Sequence, residues 1–287
     1  MLTIIYSGPH KDKKRPILVS MLKNRQFCKQ YKPFRRKTDF LICSNNKKRI
    51  TQIINSRHDY SLTIKPGGFI PKTGILLCQY LDQLSIKNKK IIDAGTGQTA
   101  LIAIHSAAMG ARHVVGLDID KGAISWAKKN RDANGLTSKI NLQTKSISDY
   151  KGQERIDVVV SNPPQMPVKK QLSLHDDGGW DGRQCIKSLI CMGERVLRPG
   201  GLLIFNVFDF LGVNQNFNEN PSIFQILKNY SFRPKIVKSA TKIVKSGSYT
   251  SKNIKHIQEV YPRYKFRVNK KGFIQYRVLV ISARKYL

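Results

Sequence analysis

Asn162-Pro163-Pro164-Gln165 is the stretch of this chain best suited to hold a poorly nucleophilic nitrogen. The lone pair of an amide or exocyclic amine is delocalised, so such a nitrogen reacts only when it is held in line and its developing positive charge is relieved. The Asn162 side-chain oxygen and the Pro163 carbonyl can each accept one of its hydrogens, and no strong base is then required. Pro163 and Pro164 stiffen the loop, which aims both acceptors before a substrate arrives. A second constellation lies upstream. Asp93-Ala94-Gly95-Thr96-Gly97 follows an apolar run and opens a helical pattern. Backbone can there approach a ligand closely, with helix N–H groups pointing at it. Asp118, with Ile119 beside it, ends the next apolar run 21 residues after Gly97, where a carboxylate accepts both hydroxyls of a ribose.

Gly95-x-Gly97-x-x-Ala100 also fits the dinucleotide fingerprint of nicotinamide enzymes. Two features favour S-adenosylmethionine as the cofactor instead. Asp93, just before the glycines, suits a cationic amino-acid portion, and nicotinamide enzymes have no need of an Asn-Pro-Pro loop after the fourth strand. The set Asp93–Gly97, Gly116-Leu117-Asp118 and Ser161-Asn162-Pro163-Pro164 resembles class I methyltransferases of the "methyltransferase small" group, including the HemK-type glutamine methyltransferases of release factors. Gly68-Phe69-Ile70-Pro71 with Thr73 is similar to the element those enzymes place before the first strand to close over the site. Asp177-Gly178-Gly179-Trp180-Asp181-Gly182 is similar to their DGGxDG turn.

The resemblance covers residues 62–210. It implies Asn162, Pro163, Pro164 and Gln165 as the catalytic segment, and no metal. Asp93, Ala94, Gly95, Thr96, Gly97, Asp118, Ile119, Ser146 and Asn162 are implied against the cofactor, and Phe69, Pro71, Gln165 and Trp180 against the methyl acceptor. Ser146 stands where the family often carries an acid. Gln165 stands where it usually carries a ring that stacks on a flat base or walls a glutamine side chain, so Phe69 or Trp180 would have to supply one.

These segments need a scaffold that brings them to one edge. A helix near Thr73–Gln83, a strand at Lys90–Ile92, a helix over Thr99–Met109 and a strand at His113–Asp118 make a βαβ unit. A helix over Lys121–Ala133 stops at Gly135. Strands follow near 139–144 and 156–161, then a helix from Gly182 to Val196, a turn at Arg198-Pro199-Gly200-Gly201, and a buried strand at Leu202–Phe205. Last come strands near 234–244 and 275–283. This alternation predicts an α/β fold with a doubly wound, Rossmann-like, mostly parallel seven-stranded sheet. Residues 56–287 form the methyltransferase domain in this reading, and residues 1–55 a basic N-terminal extension or small accessory domain.

The chain carries 51 basic and 18 acidic residues, a formal net charge of +33. The ends hold the excess: residues 1–56 have 14 Lys and Arg against 2 acids, and residues 222–287 have 16 against 1. The first segment contains Lys11-Asp12-Lys13-Lys14-Arg15, Arg35-Arg36-Lys37 and Lys47-Lys48-Arg49, interleaved with Tyr31, Phe34 and Phe40. A field of this sign draws in polyanions, so RNA, the ribosome or a translation factor is the expected partner. The C-terminal Tyr249, Tyr261, Tyr264 and Tyr276 read as contacts to phosphate backbones ahead of ordinary solvated faces. His175 reads as a solvated loop residue ahead of a substrate contact, and Asp181 as a helix cap.

No apolar run reaches about 18 residues, so no membrane partner is expected, and the start lacks a signal-peptide pattern. Five cysteines, Cys28, Cys43, Cys78, Cys185 and Cys191, show no metal or disulfide spacing. They read as reduced core residues of a cytoplasmic protein. The function expected is methyl transfer from S-adenosylmethionine to a planar amide or amine nitrogen of a translation component, either a protein glutamine or an RNA base. A small-molecule methyltransferase with compositional charge, and a non-catalytic nucleic-acid-binding protein of this fold, are the alternatives. The intact Asn162-Pro163-Pro164 argues against the last.

Overall fold

The computed structural model of the chain describes residues 39–45, 50–152, 155–170, 172–217 and 220–286. The three basic clusters of the N-terminal segment, Tyr31, Phe34 and Cys28 lie outside them. Among the described residues, eleven strands and six helices alternate: β1 Phe40–Asn45, β2 Ile50–Asn55, β3 Tyr60–Ile64, α1 Lys72–Leu81, β4 Lys90–Ala94, α2 Leu101–Ala108, β5 His113–Asp118, α3 Lys121–Ala133, β6 Ile140–Thr144, β7 Ile156–Ser161, α4 Gln184–Val196, β8 Leu197–Phe208, α5 Ile223–Asn229, β9 Phe232–Ile243, α6 Tyr249–Val260, β10 Arg267–Val268 and β11 Ile274–Lys285.

The main sheet runs β6-β5-β4-β7-β8-β11-β9, with the two-residue β10 also paired to β11 as an eighth strand. Its first five strands are parallel, and β11 is antiparallel to both β8 and β9. Strands covered on both faces need apolar residues throughout. Val159, Val160, Leu203, Ile204 and Phe205 accordingly have no exposed surface. Asp120 caps α3 by accepting a bond from the Gly122 N–H at 2.7 Å, and Gly135 turns left-handed (φ +65°) just beyond its end.

Three local differences from the sequence expectation have backbone causes. The α2 helix starts at Leu101 rather than Thr99 because Ala100 adopts a left-handed conformation (φ 48°, ψ 35°). The Arg198–Gly201 turn lies within β8 as an irregularity of the ladder: Ile156 pairs with Leu197, but Val158 already pairs with Leu202. Gly200, at φ +76°, supplies the left-handed step. The four C-terminal tyrosines are engaged internally, not spread over a phosphate-binding surface. Tyr249 donates to Asp177, Tyr261 to the Asp181 carbonyl and Tyr264 to Asp209, while Tyr276 is buried.

Strands β1, β2 and β3 form a separate antiparallel sheet in that order, so the expected division after residue 55 falls inside one meander. Side-chain amides of α3 complete its β3 edge. Asn130 accepts from the Thr63 N–H (2.8 Å) and donates to the Thr63 carbonyl (3.1 Å). One helical turn on, Asn134 does the same for Ser61 at 3.1 and 2.8 Å. Two asparagines four apart on a helix thus imitate a neighbouring strand for two residues two apart on an edge. At the other end of the meander, His58 and His105 both face Asp82, at 2.6 and 3.2 Å. His58 and Asp82 are closer than two donors sharing a zinc ion, and the contact is a charge-assisted hydrogen bond. Burial alone would raise the Asp82 carboxyl, but the two imidazoles outweigh it and hold its pKa at about 2.

Asn130→Ala and Asn134→Ala are each expected to lower unfolding free energy by about 1–3 kcal/mol, because Asn134→Ala strands both backbone groups of Ser61 and Asn130→Ala strands the Thr63 N–H, while the Thr63 carbonyl keeps the Trp126 Nε1–H at 2.9 Å. Urea denaturation checks this, and a loss below about 0.5 kcal/mol in both variants would mean that the edge needs no partner.

Candidate active site

The parallel register sets the centre of the site. Ala94 at the end of β4 pairs with Ser161 at the end of β7, and the Ser161 hydroxyl donates to the Ala94 carbonyl at 2.6 Å. The Gly95–Gly97 and Asn162–Gln165 loops therefore leave the sheet side by side, at the point where the strand order reverses. Between them opens a cavity of about 500 Å³, walled also by residues 69–74, 117–120, 145–148 and 174–177. That is within the range of sites for small molecules and cofactors.

On the β4 side, Gly95 (φ +78°) and Gly97 (φ +63°) take conformations that other residues enter only with strain, and a Cβ on either would meet no atom within 4 Å. Backbone is thus bare at the cavity wall. Asp93 sits behind this loop and does not line the cavity, nor does Ala94. Its Oδ2 accepts from the Thr96 hydroxyl (2.6 Å) and the Ala103 N–H (3.0 Å), tying the glycine loop to the first turn of α2. Its Oδ1 is buried without a hydrogen-bond partner among the described residues. Burial pushes its pKa up to about 7, against the lowering effect of its two donors. Asp93 and Ala94 are thus fully buried beneath the loop, and Asp93 braces it. Asp118 does face the cavity. It accepts from the Gly97 N–H (2.8 Å) and the Asp120 N–H (2.9 Å), and burial raises its pKa. Ile119 and Ser146 lie on the same wall.

On the β7 side, Asn162, Pro163 and Pro164 all line the cavity. Asn162 Oδ1 accepts a 3.0 Å bond from Asn206 Nδ2. Gln165 lines the cavity as well, with its amide engaged within the loop and on β8. Only 3% exposed, it donates from Nε2 to the Pro163 carbonyl (3.3 Å) and the Asn206 carbonyl (3.2 Å), and accepts from the Phe208 N–H (2.7 Å). An amide there clips the loop to β8, where a ring could make none of those bonds. The Gly178–Gly182 turn presses on the same loop. A Cβ on Gly178 would lie 2.6 Å from Gln165 Cα, and the Asp176 carbonyl accepts from both the Gln165 and Met166 N–H groups.

Phe69 and Pro71 line the mouth. Trp180 does not: it is 60% exposed and packs edge-on against His256, because the turn that carries it faces α6. His175 is an exposed loop residue at the cavity rim, near Phe69 and 3.8 Å from Asp120. Asp181 accepts from the Arg183 N–H at 2.8 Å just ahead of α4 but is not its cap residue. Sequence reasoning missed Asn206 and Lys242. A polar residue inside the apolar run Leu203-Ile204-Phe205-Asn206-Val207 is a readable signal, whereas nothing local marks Lys242.

The chain is 29% identical over 165 residues to a Methanocaldococcus jannaschii protein named as a protein N5-glutamine methyltransferase, covering 55% of this chain and 81% of that one. It is 25% identical over 233 residues to the release factor glutamine methyltransferase of Clostridium acetobutylicum, covering 75% and 79%. It shares its fold with the YcgJ protein of Bacillus subtilis at a TM-score of 0.51 and 11% identity, over 74% of this chain and 98% of that one. With the ribosomal protein L11 methyltransferase of Haemophilus influenzae it shares 38% identity over 104 residues, 36% of this chain and only 33% of that protein's length. Residues 24–168, half of the chain, match the ribosomal protein L11 methyltransferase (PrmA) family. The chain belongs to that family, and it is a class I methyltransferase that uses S-adenosylmethionine.

Proposed function

We propose that this enzyme methylates the side-chain amide nitrogen of a glutamine in a protein of the translation apparatus. The observation that carries the reading is the pair of acceptors, Asn162 Oδ1 and the Pro163 carbonyl, fixed at the wall of the cavity. Two of the relatives are named for glutamine methylation.

The residues present suit the cofactor. Bare backbone at Gly95 and Gly97 lets a ligand approach the loop, the Asp118 carboxylate suits ribose hydroxyls, and the buried Asp93 offers negative charge just behind the loop. Ile119 and Ser146 extend that wall toward the adenine side. S-adenosylmethionine, when bound, supplies an electrophilic methyl group on a sulfonium. Asn162 and Pro163 then accept the two amide hydrogens, which turns the nitrogen lone pair into the cavity and relieves the positive charge that grows as the N–CH3 bond forms. The displaced proton leaves to solvent. Phe69 and Pro71 flank the entering side chain. The basic N-terminal segment and the basic C-terminal strands support docking on an anionic partner such as the ribosome, with the field acting on association rate more than on the chemistry.

With methyl-labelled S-adenosylmethionine and a whole-cell extract, incorporated label is expected to be protease-sensitive and nuclease-resistant. Nuclease-sensitive label would replace the amide with a base amine, and label confined to small molecules would make the charge compositional. Asn162→Ala is expected to slow transfer on the order of 100-fold while cofactor affinity stays nearly unchanged, and Asp118→Ala to weaken the cofactor. Equal loss of cofactor in both would contradict these roles.

Asp93 gives a pH test. A carboxyl whose folded pKa of about 7 exceeds its unfolded value near 3.8 favours the folded chain most below about pH 4, and that contribution is lost as pH rises through 7. A cation in the cavity favours the ionised form instead. Affinity for S-adenosylmethionine measured by calorimetry should tighten by about threefold or more from pH 6 to pH 8, and Asp93→Asn should flatten the dependence. A slope unchanged in Asp93→Asn would assign it to another group.

A further inference from the structure

Asn206 lies mid-strand in β8 with no exposed surface, between Phe205 and Val207, which are equally buried. Its Nδ2 donates twice, to the Thr73 carbonyl at 2.7 Å and to Asn162 Oδ1 at 3.0 Å. Its Oδ1 is buried with no hydrogen-bond partner among the described residues. Leaving a buried carbonyl unpaired costs about 1–3 kcal/mol, and a leucine would fill the same space at no such cost. The opposite flip of the amide gives no relief, because it would set Oδ1 against two oxygens, Thr73 O and Asn162 Oδ1. The chain thus keeps the two donors at the expense of the acceptor.

Asn162 has the same ambiguity of flip, and only one choice is productive. With its oxygen toward the entering nitrogen it accepts a hydrogen, and with its NH2 there it would repel one. A donor fixed on Oδ1 by the buried amide of Asn206 selects the first, and the second lone pair of that oxygen remains for the substrate. The same donor group grips Thr73 in the first turn of α1, next to Phe69–Pro71 at the cavity mouth. We propose that Asn206 is a positioning residue for methyl transfer: its side-chain amide sets the orientation of Asn162 and links it to the segment that borders the mouth. The proposal rests on the reading of Asn162 as the hydrogen acceptor.

The test compares initial rates of label transfer from saturating S-adenosylmethionine into whole-cell extract for full-length variants, with cofactor affinity and melting temperature measured alongside. Asn206→Leu, which keeps volume and removes the donors, is expected to slow transfer about tenfold or more with cofactor affinity within about twofold. Combining it with Asn162→Ala should slow the reaction no further than Asn162→Ala does, since one residue acts through the other. Asn206→Asp carries the more specific readout. As a carboxylate it faces two oxygens and should be slow at pH 8. Its buried carboxyl has a raised pKa and, once protonated, can donate to Asn162 again, so its rate relative to the unmodified enzyme should recover toward pH 6. A ratio flat with pH in a folded Asn206→Asp, or losses that multiply in the double variant, would overturn the proposal. Slow Asn162→Ala with full-speed Asn206→Leu would overturn it alone, and full-speed Asn162→Ala would remove the site reading with it.

Discussion

The parallel, in-register pairing of β4 with β7 is the constraint on which the site depends. Ala94 opposite Ser161 places the last residues of two central strands at one level of the sheet edge. Each strand then releases a loop of opposite character. One is bare backbone over a buried acid, suited to a ligand with a sugar and a cationic tail. The other is stiff and presents carbonyl oxygens. A slip of one residue in a parallel pair would turn every side chain of one strand to the other face. Val158, Val159 and Val160, buried on both faces of β7, and the Ser161 hydroxyl on the Ala94 carbonyl hold the register against that.

The stiffness of the Asn-Pro-Pro loop is shared well beyond its prolines. Its Pro163 carbonyl, Gln165 side chain and Gln165 and Met166 N–H groups are bonded to β8, to the loop itself or to the Asp176 carbonyl. Gly178 and Gly182 let that backbone approach to contact distance. The DGGxDG-like turn braces that loop, with Asp177 at its start on the cavity wall and Trp180 turned toward His256 of α6. The Gly95–Gly97 loop is braced by the same logic from below, with Asp93 in place of the glutamine amide. Both loops are aimed by buried polar groups whose full satisfaction has been given up, at Asp93 Oδ1 and Asn206 Oδ1. Such orphans are expected where geometry is kept for function rather than for stability.

Much of this was legible in the residues, and the parts that were not share a reason. The bounds of β5, α3 and β7 could be read to the residue because a long apolar run or a capped helical period marks them, and the order of elements specified the doubly wound sheet. The start of α2 was misread because Ala100 adopts a conformation that its type does not advertise. The C-terminal tyrosines were misread because basic neighbours suggest surface, while the hydroxyls in fact reach Asp177, Asp181 and Asp209, all far away in sequence. Gln165 illustrates the general limit. Its position announced a departure from the family, but whether the amide faced a ligand or the loop depended on β8, some 40 residues on. Periodicity and motifs report local structure, and long-range side-chain hydrogen bonds lie outside both.

The charge distribution has a similar division between what is global and what is local. The chain as a whole carries +33, with 51 basic residues to 18 acidic ones. The cavity is close to balanced: Asp118, Asp120, Asp176 and Asp177 line it with Lys72, Lys145 and Lys242, and Asp93 is buried just behind. Charges more than a Debye length of about 8–10 Å away are largely screened, so a partner responds to the part of the surface nearest to it. A small cation that enters the cavity meets carboxylates at close range with reduced solvent screening. The two fields therefore act on different ligands. A field of the outer sign attracts polyanions, and the carboxylates inside offset it for a cation. Four of the chain's 18 acids line this one cavity, which offsets locally the positive sign that the chain carries as a whole.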